Sequence, residues 1–199
     1  MAKKVDHEQR KREITEKALR LFSQVGYDNV SLIMIAAASG VSRTVLYRYF
    51  CSKREVMDAS IQQVVDIIED RCTKIMASRG NASEKLIGIC HAVIEEMFAH
   101  REFVIAVFDF VVGMVRAGAD MNKGISEYTA GTRNAIRMLI AHGKKAGEFP
   151  EILLDDRTSD AIYAEFESCA MRIVLNTERN ADAAKVRISD IVRAISNWR

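Results

Sequence analysis

The chain has little of what interrupts regular structure. One proline and ten glycines are spread over 199 residues, and no succession of short β-branched or aromatic runs lies between turn residues. A sandwich or barrel needs turn signals about every 8 to 12 residues, so those architectures are excluded. No apolar run approaches the ~18 residues that cross a bilayer. The N-terminus opens Met-Ala-Lys-Lys and continues into charged residues, so no secretion signal is expected. The four cysteines, Cys51, Cys72, Cys90 and Cys169, are scattered without a Cys-x-x-Cys pair, which argues against a disulfide framework and fits a reducing, cytoplasmic setting. Among Cys90, His91, His100 and His142 only the first two are close in sequence, and neighbours on a helix diverge. Gly-rich phosphate loops, Gly-x-Ser-x-Gly and His-Glu-x-x-His are missing too. No enzyme activity, metal or cofactor is expected.

What is present is helical periodicity. Apolar residues make up 49% of the chain, and they recur at i, i+3, i+4 and i+7 over long stretches. A loose basic arm is expected over residues 1–9, then a helix from about Glu8 to Val25 with Ile14, Ala18, Leu21 and Phe22 on one face. A long helix should run from Lys53 to Ala77, and others over Ser83–Ala99, Phe103–Val115, Asn122–Ala146, Arg157–Thr177 and Ala181–Trp198. Asn81 with Glu84 forms a capping-box pattern before the Ser83 helix. The fold class is all-α, with about nine helices. Residues 1–58 hold 11 Lys/Arg against 7 Asp/Glu, or +4; the remaining 18 against 20 give −2. A basic third on a slightly acidic body suits one end that meets phosphate.

The stretch Val30–Lys53 is the most informative. Leu32, Ile35 and Ala36 share one helical face, with Ser31 placed to cap the first turn and Gly40 placed to end the helix. Ser42 caps a second short helix whose Val45, Leu46 and Phe50 face inward. Arg43, Thr44, Tyr47, Arg48, Tyr49 and Lys53 are left for solvent. So much Arg, Tyr and Lys on so short a helix points to an anionic partner, with duplex DNA foremost.

These residues resemble the TetR family of bacterial transcriptional regulators over roughly Arg12 to Met57. Arg12-Glu13-Ile14, Ala18-Leu19, Leu21-Phe22 and Gly26-Tyr27 are similar to the family's first helix and turn. Ile35-Ala36, Gly40-Val41-Ser42, Leu46-Tyr47, Tyr49-Phe50 and Lys53 follow at the family's spacing without a gap. Met34 stands where an acid is usual, Ile33 where a polar residue is common, and Thr44-Val45 replace a Gly-Thr pair. The resemblance implies a three-helix DNA-binding domain over residues 1–54 and a ligand-binding and dimerisation domain over 55–199. It implies a homodimer on a palindromic double-stranded operator, responsive to a small apolar or amphipathic effector, with no membrane partner. Ser31, Ser42, Arg43, Thr44, Val45, Tyr47, Arg48, Tyr49 and Lys53 are then the DNA-binding candidates. Arg43 and Thr44 suit base edges; Tyr47, Tyr49 and Lys53 suit phosphates; Arg48 suits either. A nucleoid-associated or architectural protein with no ligand is the alternative.

In the body, His91, Met97, Phe103, Phe108, Asp109, Met114, Tyr128, Asn134, Tyr163 and Phe166 are candidates to line an effector pocket, core packing being the competing reading for each. Asp109 lies within Val-Phe-Asp-Phe-Val-Val, where a buried charge needs a partner: Arg116, Arg172 or a cationic ligand. The stripes Ile162, Phe166, Cys169 and Ile173, and Ile188, Ile191, Val192, Ile195 and Trp198, are either intramolecular core or, as the resemblance implies, a four-helix dimer interface.

Overall fold

The computed structural model describes the backbone of residues 2–119 and 121–197 and the side chains of 7–119 and 128–197. Trp198 lies outside the described residues. Among these residues there are nine helices and no strand: α1 (Ala2–Val25), α2 (Leu32–Ala38), α3 (Arg43–Leu46), α4 (Lys53–Ala77), α5 (Ala82–Ala99), α6 (Arg101–Arg116), α7 (Met121–Lys145), α8 (Asp155–Val174) and α9 (Asp182–Ser196). None is long and apolar enough to cross a membrane.

Helix α1 begins well before the expected Glu8. The expected loose arm is helical from Ala2, because Lys, Glu, Gln and Arg are good helix formers and no breaker precedes Gly26. Helix α8 starts earlier than expected as well, with Asp155 and Asp156 in its first turn, where acids complement the helix dipole. It stops at Val174 because Asn176 takes the left-handed conformation at φ 53°, with Thr177 N–H bonded back to the Arg172 carbonyl. The Asn81–Glu84 capping box forms as expected, each residue's backbone N–H donating to the other's side chain.

The chain divides into two compact units. One comprises Met1–Val64 and Glu102–Gly124, the other Val65–Arg101 and Ile125–Arg199. The first takes in the first half of α4 and nearly all of α6. Its fully buried side chains include Ile14, Ala18 and Phe22 of α1, Ile35 of α2, Leu46 and Phe50 around α3, and Val56 and Met57 of α4. Each large aliphatic or aromatic group so enclosed is worth roughly 1.5 to 3 kcal/mol.

The second unit is built on α5, α8 and α9, packed against one another, with Ile136, Leu139 and Ile140 of α7 joining the same core. Two ion-pair clusters fasten it. Arg71 reaches Glu95 and Glu96, each at 2.6 Å, and Lys185 reaches Glu95 at 2.6 Å. Arg187 joins Glu165 at 2.8 Å to Glu178 at 2.9 Å. The Arg187 guanidinium, with Arg172 nearby, holds the Glu178 carboxyl below the usual range. Gly143 sits where the chain after α7 folds back: an added methyl would strike the Phe149 ring and press on Ala82.

Two outcomes follow. Gly143→Ala, which would stabilise an ordinary helix, should instead cost about 1 to 3 kcal/mol through overpacking, measured by urea unfolding. Because Glu178 titrates lower when folded than when unfolded, its stabilisation is complete above the usual carboxylate pKa and is lost as pH falls through the folded value. Thermal midpoints should drop below about pH 4.5, and less steeply in Glu178→Gln than in wild type.

Candidate nucleic-acid interface

The site is assembled by four short-range devices. Ser31 Oγ accepts from the Met34 N–H at 3.3 Å and starts α2. At its other end Gly40, at φ 64°, closes the helix. The Gly40 N–H donates to the Ala37 carbonyl and the Val41 N–H to the Ala36 carbonyl, the paired bonds of a Schellman turn. Ser42 Oγ then accepts from the Val45 N–H at 3.2 Å and starts α3. A fourth device was not foreseen, although Ser52-x-x-Glu55 carries its pattern. Ser52 Oγ accepts from the Glu55 N–H, and the Glu55 carboxylate accepts from the Cys51 N–H at 2.6 Å.

Leu46 and Phe50 are completely buried, so the remainder of α3 and its last turn must face outward. Arg43, Thr44, Tyr47 and Arg48 are all exposed, at i, i+1, i+4 and i+5, one side of the turn. Arg43 and Arg48 make no ion pair with a described residue. Val45 is half-buried. Tyr49 is half-buried as well, and its ring lies 4.5 Å from that of His7. Ser31 and Ser42 spend their hydroxyl oxygens on caps.

Lys53 is differently employed from the expected phosphate contact. Its ammonium donates to the carbonyls of Tyr27 at 2.6 Å and Asp28 at 3.1 Å and stands 4.3 Å from the Tyr27 ring centre. Two of its three protons are thus committed inside the protein. Asp109 also departs from expectation. It is exposed rather than buried, and its carboxylate accepts from the Tyr27 backbone N–H at 2.7 Å, not from Arg116 or Arg172. Residue spacing carries no sign of a backbone partner 82 positions away.

The effector candidates divide between the two units. Phe103, Phe108, Asp109 and Met114 belong to the first unit, and His91, Met97, Tyr128, Asn134, Tyr163 and Phe166 to the second. Phe166 is core, with Met97 and Tyr163 packed against it. Tyr163 lies under the Arg133 guanidinium at 3.6 Å, and burial pushes its phenol pKa up. Asn134 is exposed. His91 Nε2 lies 2.8 Å from Ser189 Oγ and 3.1 Å from the Lys185 carbonyl. Since Ser189 itself donates to that carbonyl, the Nε2 position must carry the proton. His91 also borders a shallow hollow of about 300 Å³ with Asp182, Lys185, Val186, Ser189 and Arg193. It is the one effector candidate there.

The two expected interface stripes lie in the core. Ile162, Phe166, Cys169, Ile173, Ile188 and Val192 are buried, and Ile191 and Ile195 pack against them. Helix α5 covers these faces, which sequence spacing alone could not distinguish from a face awaiting a second chain. The outward side of α8 carries Ala161, Ala164, Met171 and Leu175, with Val186 outward on α9. Leu175 and Val186 are 62% and 59% exposed.

Residues 14–59, from within α1 to the start of α4, match the family model for bacterial regulatory proteins, tetR family. Over this segment the chain is similar to the TetR family. Over 86 residues the chain is 30% identical to the HTH-type transcriptional regulator HbdR of Aromatoleum sp. (strain CIB), a match covering 43% of this chain and 36% of HbdR. The chain thus spans about a third of that relative's length. It is 25% identical over 199 residues to the HTH-type transcriptional regulator PksA of Bacillus subtilis (strain 168), covering 98% of this chain and 94% of PksA. Among solved structures, the transcriptional regulator FadR from Bacillus subtilis in complex with stearoyl-CoA superimposes with a TM-score of 0.81 at 16% identity. That likeness covers 94% of this chain and 99% of FadR and concerns the fold.

Proposed function

We propose that this chain is a TetR-family DNA-binding transcriptional regulator, acting as a ligand-responsive repressor that grips a palindromic operator as a homodimer. One observation carries the reading: Arg43, Thr44, Tyr47 and Arg48 are exposed on one side of a turn whose other side is anchored by buried Leu46 and Phe50. Arg43 and Thr44 read base edges, Arg pairing bidentately with guanine. Tyr47, Tyr49 and Arg48 bind phosphate, with Val45 at the edge of the contact.

The dimer reading moves to a new face. Ala161, Ala164, Ser168, Met171 and Leu175 repeat at spacings of 3, 4, 3 and 4 along α8, the period of a helix–helix seam. Small residues there allow close approach, and Val186 of α9 extends the apolar surface. Two-fold pairing sets two reading helices about 34 Å apart, matching successive major grooves. The effector is a small apolar or amphipathic molecule; the stearoyl-CoA of the FadR complex is one such compound. It lowers operator affinity only as far as it prefers the conformation that does not bind DNA.

Selection from a random pool of 30-base-pair duplexes tests this. The expected result is an inverted repeat with half-sites about 10 base pairs apart. Broad recovery without a shared motif would sink the reading in favour of an architectural protein. Arg43→Ala should cut discrimination between the selected and a random duplex roughly 10- to 100-fold. Stearoyl-CoA, together with neutral and cationic amphiphiles, should include at least one compound that weakens duplex binding; if every one leaves it unchanged, the effector class is wrong.

A further inference from the structure

The turn that joins α1 to α2 is held from outside the three N-terminal helices. Gly26, at φ 86°, lets the chain reverse after α1. The next residue, Tyr27, then has both of its backbone polar groups taken by charged side chains. Its N–H donates to the Asp109 carboxylate of α6 at 2.7 Å, and its carbonyl accepts from the Lys53 ammonium of α4 at 2.6 Å. Its half-buried ring is contacted too. Phe22 lies 5.3 Å away, Phe110 meets it edge-on at 4.7 Å, and Lys53 stands over its face. Arg54 in turn caps the Phe110 ring at 4.8 Å.

We propose that Asp109 and Lys53 are positioning residues for DNA binding, clamping the Tyr27 turn so that α2 and α3 are presented in the binding geometry. The inference rests on the DNA-binding reading above. Two features favour it over incidental contact. Asp109 is exposed, so core packing does not require an acid there. A carboxylate in the DNA-reading unit also works against the attraction of phosphate. A negative charge at that place therefore needs a structural gain, which the charge-assisted bond to a turn amide supplies. Lys53, for its part, has most of its hydrogen-bonding capacity committed to the Tyr27 and Asp28 carbonyls. Its contribution to affinity comes through geometry. Because Asp109 sits on α6, a shift of that helix would release the turn directly.

The experiment exploits opposite signs. The probe is a mixed random-sequence 30-base-pair duplex, titrated at several salt concentrations. If Asp109 acts only as a charge, Asp109→Ala should bind the duplex as tightly as wild type or more tightly. As a positioning residue its loss should weaken binding at least fivefold, with Asp109→Asn, which keeps an acceptor oxygen, in between. Lys53→Met should weaken binding while leaving the slope of log K against log salt unchanged. A loss of about 0.9 in that slope marks a removed phosphate contact and would overturn the role given to Lys53. Hydrogen exchange at the Tyr27 amide is the second readout: it should accelerate at least tenfold in Asp109→Ala in the absence of DNA. Unchanged exchange would overturn the clamp. If wild type binds no duplex, the regulator reading fails, and amide exchange alone decides whether the clamp exists.

Discussion

The outward cationic and aromatic surface of α3 depends on the burial of two side chains. Helix α3 has four residues, far below the length at which a helix is stable by itself. Its hydrogen bonds cannot hold its direction. Leu46 and Phe50 do so, because removing either from the core would forfeit a few kcal/mol of apolar burial. With those two fixed, the helical repeat leaves Arg43, Thr44, Tyr47 and Arg48 nowhere to point but outward. The caps at Ser31 and Ser42 and the left-handed Gly40 set where the short helices begin and end. They refine an orientation that burial decides.

Local features were legible in the chain. The Ser31 and Ser42 caps, the Gly40 stop, the Asn81–Glu84 box and the α4 bounds all depend on residues within a turn of one another, where residue type carries the physics directly. Features that depend on distant partners were not. The α8 and α9 stripes have the spacing of a buried face, but periodicity does not say whether this chain or a second copy does the burying. Sequence spacing suits Lys53 to a phosphate because nothing near it in the chain accepts its protons; the accepting carbonyls lie 25 and 26 residues earlier. Asp109 was read as buried because its neighbours are apolar, although it falls on the one exposed line of an otherwise hydrophobic helix.

The same contrast governs the division of the chain. Proximity in sequence would leave α6 apart from the N-terminal helices, whereas it groups with them through its contacts. A helix contributed from the middle of the chain supplies an aromatic, Phe110, and an acid, Asp109, to a turn near its start. The first unit is therefore completed only after the chain has passed through α5. Its folding involves contacts of long sequence separation, despite an all-helical content that would otherwise favour local ones.

Four thiols are present, and burial sorts them chemically. Cys72, Cys90 and Cys169 are enclosed, and desolvation raises their pKa values, that of Cys169 to about 11. A thiol kept neutral is a poor nucleophile and slow to oxidise. Cys51 alone is exposed, in the turn between α3 and α4. The protein thus carries a built-in attachment point beside α3, where a maleimide dye would report on that surface without any engineered cysteine.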